Sequence, residues 1–213
     1  MKFETNADAG TITMRGGIGD FENHISANDF LDALTEHSGA DVTIHMDSEG
    51  GSVTDGLSMY NAICQYSGKV TVHIDSIAAS IATVVAAAAD KVIINSTGRM
   101  MVHRAWTVSM GNCKDFMSMA SIMEQMDADI AATYAARSSS SQEEWIEIMD
   151  KETWFSAKEA LAIGLVDEVN EIKPGVKASV KPQAEVKPST IGPVWQAKME
   201  ATARRIRLKS RSN

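Results

Sequence analysis

Apolar positions along the first 170 residues follow two alternating rhythms, and the change from one to the other marks out the elements. Residues 11–18 read as a first strand ending in the turn Gly16-Gly17-Ile18-Gly19. Residues 29–37 then read as a helix, with Ser26 or Asn28 as caps and Phe30, Leu31 and Leu34 at helical spacing. A strand at 42–46 stops at Asp47-Ser48-Glu49-Gly50-Gly51, and a helix over 54–66 places Leu57, Tyr60, Ile63 and Cys64 on one face. The cycle repeats with a strand at 70–75, a helix over 78–89 with hardly a polar atom on it, and strands at 92–94 and 100–102. Strands and helices joined by short connections predict an α/β architecture with substantially parallel pairing.

A long helix is expected over 115–134, where Phe116, Met119, Met123, Met126, Ile130 and Tyr134 form a stripe. The stripe predicts a face packed on the core, with a self-association surface as the alternative. Ser138 to Ser141 precede Gln142 and Glu143, a capped start for a short helix through Ile148. A last helix opens near Ser156 and stops at Gly164. The pattern ends after Ile172: Pro174, Pro182, Pro188 and Pro193, all four prolines of the chain, are interleaved with Lys, Val and Ala. This predicts a domain over 1–172, a linker over 173–194 and a basic tail over 195–213 that could form a helix.

Charge sharpens that division. The chain of 213 residues has a net charge of -8, yet residues 171–213 carry ten Lys and Arg against three Asp and Glu, so the body is acidic and the tail basic. An acidic body argues against an enzyme of nucleic acids. Two cysteines, Cys64 and Cys113, are too few for a disulfide framework, and five dispersed histidines show no metal-ligand spacing, so neither metal nor cofactor is expected. No export signal or bilayer-length apolar run is present, which predicts a cytoplasmic protein without a membrane partner.

Three segments could supply the parts of nucleophilic acyl transfer: a hydroxyl with a base, a group that orients the base, and N–H donors for the oxyanion. Paired glycines at Gly50-Gly51 suit a sharp turn and close approach of a substrate chain. Ser80 stands at the start of the apolar helix among small residues, where free N–H groups favour an oxyanion; it is equally placed to be a simple N-cap. His103 closes the strand Met100-Met101-Val102.

Taken in order, these segments resemble the proteolytic subunit of the Clp protease family. Gly50-Gly51 is similar to that family's glycine-rich substrate loop, Ala78-Ala79-Ser80 to its nucleophile motif and Met101-Val102-His103 to its histidine motif. Trp154-Phe155-Ser156-Ala157-Lys158-Glu159-Ala160 with Gly164-Leu165-Val166-Asp167 resembles its closing segment. The resemblance implies a ClpP/crotonase-like fold, a repeated ββα superhelix with a protruding long helix or handle, to which a C-terminal extension is added here. It also implies a serine endopeptidase acting on polypeptides within a homo-oligomeric ring. Ser80 would be the nucleophile, His103 its base, and the N–H groups of Gly50 and Ile81 the oxyanion hole; Gly51, Ser52 and Val53 would pair with substrate as an added strand. The acidic third member falls at Glu152, where the family has aspartate, with Asp150 as the alternative.

Two departures point within the family. The short segment ahead of the first strand argues against regulation by a Clp ATPase. With the basic, proline-linked tail it resembles the ClpP-related head-maturation proteases of tailed bacteriophages. That implies processing of capsid or scaffold proteins in the host cytoplasm or inside the prohead, with the tail docking on those partners. The alternatives are a cellular ClpP subunit degrading unfolded proteins, a non-catalytic assembly scaffold, and a crotonase-like acyl-CoA enzyme.

Overall fold

A computed structural model describes residues 2–20 and 22–173 of the protein. The expected linker over 173–194, beyond Lys173, and the tail over 195–213 lie outside the described residues. In chain order the elements are β1 (Lys2–Asn6), β2 (Thr11–Arg15), α1 (Ala27–Glu36), β3 (Val42–Ser48), α2 (Val53–Gln65), β4 (Val70–Ala79) and α3 (Ile81–Ala87). They continue with β5 (Lys91–Asn95), β6 (Arg99–Val102), α4 (Cys113–Arg137), α5 (Gln142–Asp150), β7 (Thr153–Ser156), α6 (Ala157–Ile163) and β8 (Glu168–Asn170).

All of these strands join one mixed sheet ordered β1-β2-β3-β4-β5-β8, with β6 and β7 leaving that path from β4. Pairing is parallel from β2 through β5 to β8 and between β4 and β6; among the described residues only β1 with β2 and β6 with β7 run antiparallel. The ten-residue β4 makes the branch possible, because its first half pairs with β5 and residues 77–79 pair with β6. Alternation along β3 and β4 turns Val42, Ile44, Met46, Val70, Val72 and Ile74 into the core.

Several elements differ from the sequence pattern. Ala78 and Ala79 belong to β4, so the apolar helix begins at Ile81 and not at Ala78. Helix α2 buries Gly56, Met59 and Ile63, a stripe rotated from the expected one, and Cys64 is exposed. The rotation follows from Gly56: a Cβ there would lie 2.2 Å from Ile81 Cγ1, so only glycine lets α2 close on α3. The expected core stripe of α4 is buried only in its C-terminal part, at Ile130 and Tyr134, whereas Phe116, Met117 and Ile122 in the N-terminal part are exposed. Those apolar residues are not covered by any described element, which corrects the reading of that part as a core face.

Candidate active site

Parallel strands bring their C-terminal ends to one edge of a sheet, where connecting loops can converge. Here β3, β4 and β6 deliver Ser48, Ala79 and Val102 to that edge. Ala79 is level with Met101 in the β4–β6 ladder, and Ser80 N–H continues it by donating to Met101 O at 2.8 Å. Ser80 and His103 therefore leave adjacent strands almost side by side. His103 Nε2 lies 2.7 Å from Ser80 Oγ.

Ser80 has φ 56° and ψ −131°, a strained conformation for a residue with a Cβ, and its hydroxyl makes no cap bond to α3. The capping alternative is thereby removed: the turn presents the hydroxyl to His103 instead. Thr83 pins the strained turn, donating its N–H (3.0 Å) and its hydroxyl (2.6 Å) to Ser80 O. Since the Thr83 proton is so committed, the buried Tyr134 hydroxyl is the donor in their 2.6 Å contact. Burial raises the Tyr134 pKa, an effect the Thr83 bond only partly offsets, so the phenol stays protonated as that donor.

The glycine turn sits directly over this point. A Cβ on Gly50, at φ 89°, would lie 2.8 Å from Ser80 Cβ and 3.2 Å from Ile81 N, so the turn reaches both only because it carries no side chain. Ile81 opens α3, and a first-turn N–H has no acceptor within its helix. The Gly50 N–H donates to the buried Ser48 Oγ at 3.1 Å, so it can serve an oxyanion only by sharing or exchanging that partner. Gly50 O accepts from Ile18 N–H and Ser52 N–H donates to Ile18 O, both at 2.8 Å, so the Ser52 N–H is occupied within the subunit. Gly51, bridged to Ile18 between those two bonds, turns its own N–H and C=O to the opposite edge. Val53 follows as the first residue of α2, with Ser52 as its cap.

The two acidic candidates have separate surroundings. Asp150 closes α5 and grips the Arg104 guanidinium through Nε and, at 3.1 Å, Nη2. That hydrogen bond holds the Asp150 carboxyl below its usual range and raises Arg104 in turn. Glu152 lies beyond it at φ 48°, immediately before β7. The β6–β7 ladder ends with Val102 paired to Thr153, so His103 and Glu152 are the residues that flank its last pair.

Sequence reasoning missed Arg104, Asp127, Thr83 and Tyr134, all of which position the site. Asp127, buried on α4, accepts from Ala105 N–H at 2.7 Å and from Arg104 Nη1 at 3.2 Å, fixing the backbone just after His103. An Asp within a Met-rich helix was the only available signal. Equally missed was a second group: His45, His73 and Asp75 converge on the outer face of the sheet, despite their dispersal along the chain. Burial pushes the Asp75 carboxyl up, but hydrogen bonds from His45, His73 and Arg15 together hold it well below the usual range.

Comparison with known proteins decides the family. The family model described as Clp protease matches residues 7–173. The chain belongs to the Clp protease family. The ATP-dependent Clp protease proteolytic subunit of Chlorella vulgaris is 30% identical over 142 residues, which cover 66% of this chain and 70% of the relative. The Bacteroides fragilis subunit of the same description is also 30% identical, over 66% of this chain and 68% of its own. A ClpP1 point mutant from Listeria monocytogenes superposes with a TM-score of 0.70 at 24% identity, over 78% of this chain and 94% of that one, and so shares the fold. The α/β architecture expected from the sequence is the Clp protease fold. Among the described residues no helix is long and apolar enough to cross a membrane.

Proposed function

We propose that this Clp protease family member is a serine endopeptidase in which Ser80 attacks the scissile carbonyl and His103 takes the Ser80 proton. The observation that carries the reading is the 2.7 Å contact between Ser80 Oγ and His103 Nε2 at a strained turn. For Nε2 to accept that proton, the imidazole must carry its own on Nδ1, and Glu152 is the acid that holds this tautomer. Asp150 is set aside because Arg104 occupies its carboxylate. Attack drives charge onto the carbonyl oxygen, which Ile81 N–H and a released Gly50 N–H receive. His103 then returns the proton to the leaving amine, and water hydrolyses the acyl-Ser80 ester by the same steps. An extended peptide bonds to the edge offered by Gly51 and the first-turn N–H of Val53.

The finer role we propose is processing of capsid or scaffold proteins by a homo-oligomer, supported by the basic, proline-linked segment after residue 172. The exposed apolar part of α4 supports self-association. A second reading, degradation of unfolded proteins with a Clp ATPase, is favoured by the ATP-dependent relatives. The deciding experiment is cleavage of peptide and of capsid or scaffold protein without nucleotide, by wild type and Ser80→Ala. Turnover should fall by about 10⁴–10⁶ in the variant. Cleavage that survives Ser80→Ala would overturn the nucleophile, and cleavage that requires an ATPase and nucleotide would overturn the processing role.

A further inference from the structure

Strands β3 and β4 carry a seven-residue repeat that the peptidase reading leaves unused. Val42-Thr43-Ile44-His45-Met46-Asp47-Ser48 matches Val70-Thr71-Val72-His73-Ile74-Asp75-Ser76 at Val, Thr, His, Asp and Ser. The strands pair in parallel with Val42 opposite Val70, so the repeat falls in register and His45 lies directly beside His73. Strand alternation sends Val, Ile and Met inward and directs Thr, His and Asp to the outer face. Two imidazoles and the carboxylate two residues along thus meet on one side of the sheet.

Their geometry is that of a ligand set. One donor atom from each of His45, His73 and Asp75 lies within 4.8 Å of the other two. Asp75 Oδ1 is 3.2 Å from His45 Nδ1 and 3.1 Å from His73 Nδ1. Metal–ligand bonds of about 2.0–2.1 Å at tetrahedral angles put ligand atoms about 3.3 Å apart, close to both separations. The side chains are 38%, 19% and 21% exposed for His45, His73 and Asp75, so the cluster is partly enclosed yet reachable from solvent. Arg15 Nη2 donates to Asp75 Oδ2 at 3.0 Å, which orients the carboxylate and leaves Oδ1 toward the imidazoles, while Asn95 Nδ2 donates to the Asp75 backbone carbonyl at 2.9 Å.

We propose that His45, His73 and Asp75 form a binding site for a borderline transition-metal dication, best matched by Zn²⁺ with solvent as fourth ligand. Two imidazoles disfavour Mg²⁺ and Ca²⁺, which take oxygen ligands, and two nitrogens with one carboxylate suit zinc. Binding exchanges the two imidazole–carboxylate hydrogen bonds for metal bonds and moves each imidazole proton to Nε2. A bound ion would cross-link β3 to β4, the strands that lead into the Gly50 turn and Ser80.

The test uses the untagged full chain, stripped with a chelator and dialysed, then titrated with Zn²⁺ alone against a chromophoric chelator. One zinc per chain is expected. Because loss of an outer-shell partner typically weakens metal binding about 10–100-fold, His45→Ala and His73→Ala should each weaken it by about 100-fold or more, whereas His24→Ala, outside the cluster, should leave it unchanged. Equal affinity in wild type and His73→Ala, or negligible zinc in wild type, would leave only a hydrogen-bonded ion cluster and overturn the site. If the variants fail to fold by circular dichroism, the wild-type Co²⁺ spectrum decides. Strong tetrahedral bands support the site and weak octahedral absorption overturns it. Neither result bears on Ser80 or His103.

Discussion

Thr83 is the residue through which burial of the fold acts on the nucleophile, and its substitution by valine tests that link. Thr83→Val keeps the shape but removes the hydroxyl that donates to Ser80 O and accepts from Tyr134. Ser80 O keeps its bond from residue 83 N–H, so it remains satisfied. The Tyr134 hydroxyl, in a residue only 1% exposed, has no other hydrogen-bond partner among the described residues. Stranding a buried donor costs about 1–3 kcal/mol, and losing the Thr83–Ser80 bond about 0.5–1.5 kcal/mol more, so Thr83→Val should destabilise by about 2–4 kcal/mol. Tyr134→Phe leaves Thr83 still donating to Ser80 O and should cost about 1 kcal/mol. In the Tyr134→Phe background no hydroxyl is stranded, so the valine substitution should then cost only about 1 kcal/mol. The assay is urea unfolding of wild type, both single variants and the double variant at one fixed protein concentration, because self-association shifts apparent stability. Additivity of the two changes within about 0.5 kcal/mol would refute the bridge, since independent sites add to that precision.

Other expectations concern single positions. Gly50→Ala must place a Cβ at φ 89° and 2.5 Å from Ala79 O, so it should lose about 1–2 kcal/mol to the left-handed backbone and more to the clash, seen as a lower urea midpoint with lower kcat. Glu152→Gln should lower kcat by about 10⁴ and Asp150→Asn only a few-fold, because Arg104 and not His103 occupies Asp150; steady-state kinetics with the reverse ranking would exchange the two roles. Phe116→Asp with Met117→Asp, on the exposed part of α4, should reduce the assembled mass in sedimentation while leaving the fold of the subunit unchanged by circular dichroism.

Legibility differed from residue to residue. The order of strands and helices from β2 to α5, and the last helix α6, followed from local periodicity, since strand and helix spacings are properties of neighbouring residues; the four-residue β7 between them exists by pairing with β6 and was not legible. Neither was strand β1, because Lys2 to Asn6 carries little apolar signal and exists by antiparallel pairing with β2. Ala78 and Ala79 read as helix for a similar reason: alanine suits a helix, and only the ladder to Met100 and Met101 makes them strand. The Met stripe of α4 showed amphipathic spacing without revealing what it faces.

By itself, the sequence determined the α/β alternation, the small residues around Ser80, the glycine turn and the histidine at the end of β6, because each is written in adjacent positions. Tertiary structure alone decided that Ser80 and His103 meet, that Arg104 takes Asp150, and that His45, His73 and Asp75 share one face. These depend on which strands become neighbours and in what register. Strand pairing carries residues that are far apart in the chain to the same edge or the same level, and no local pattern encodes that choice.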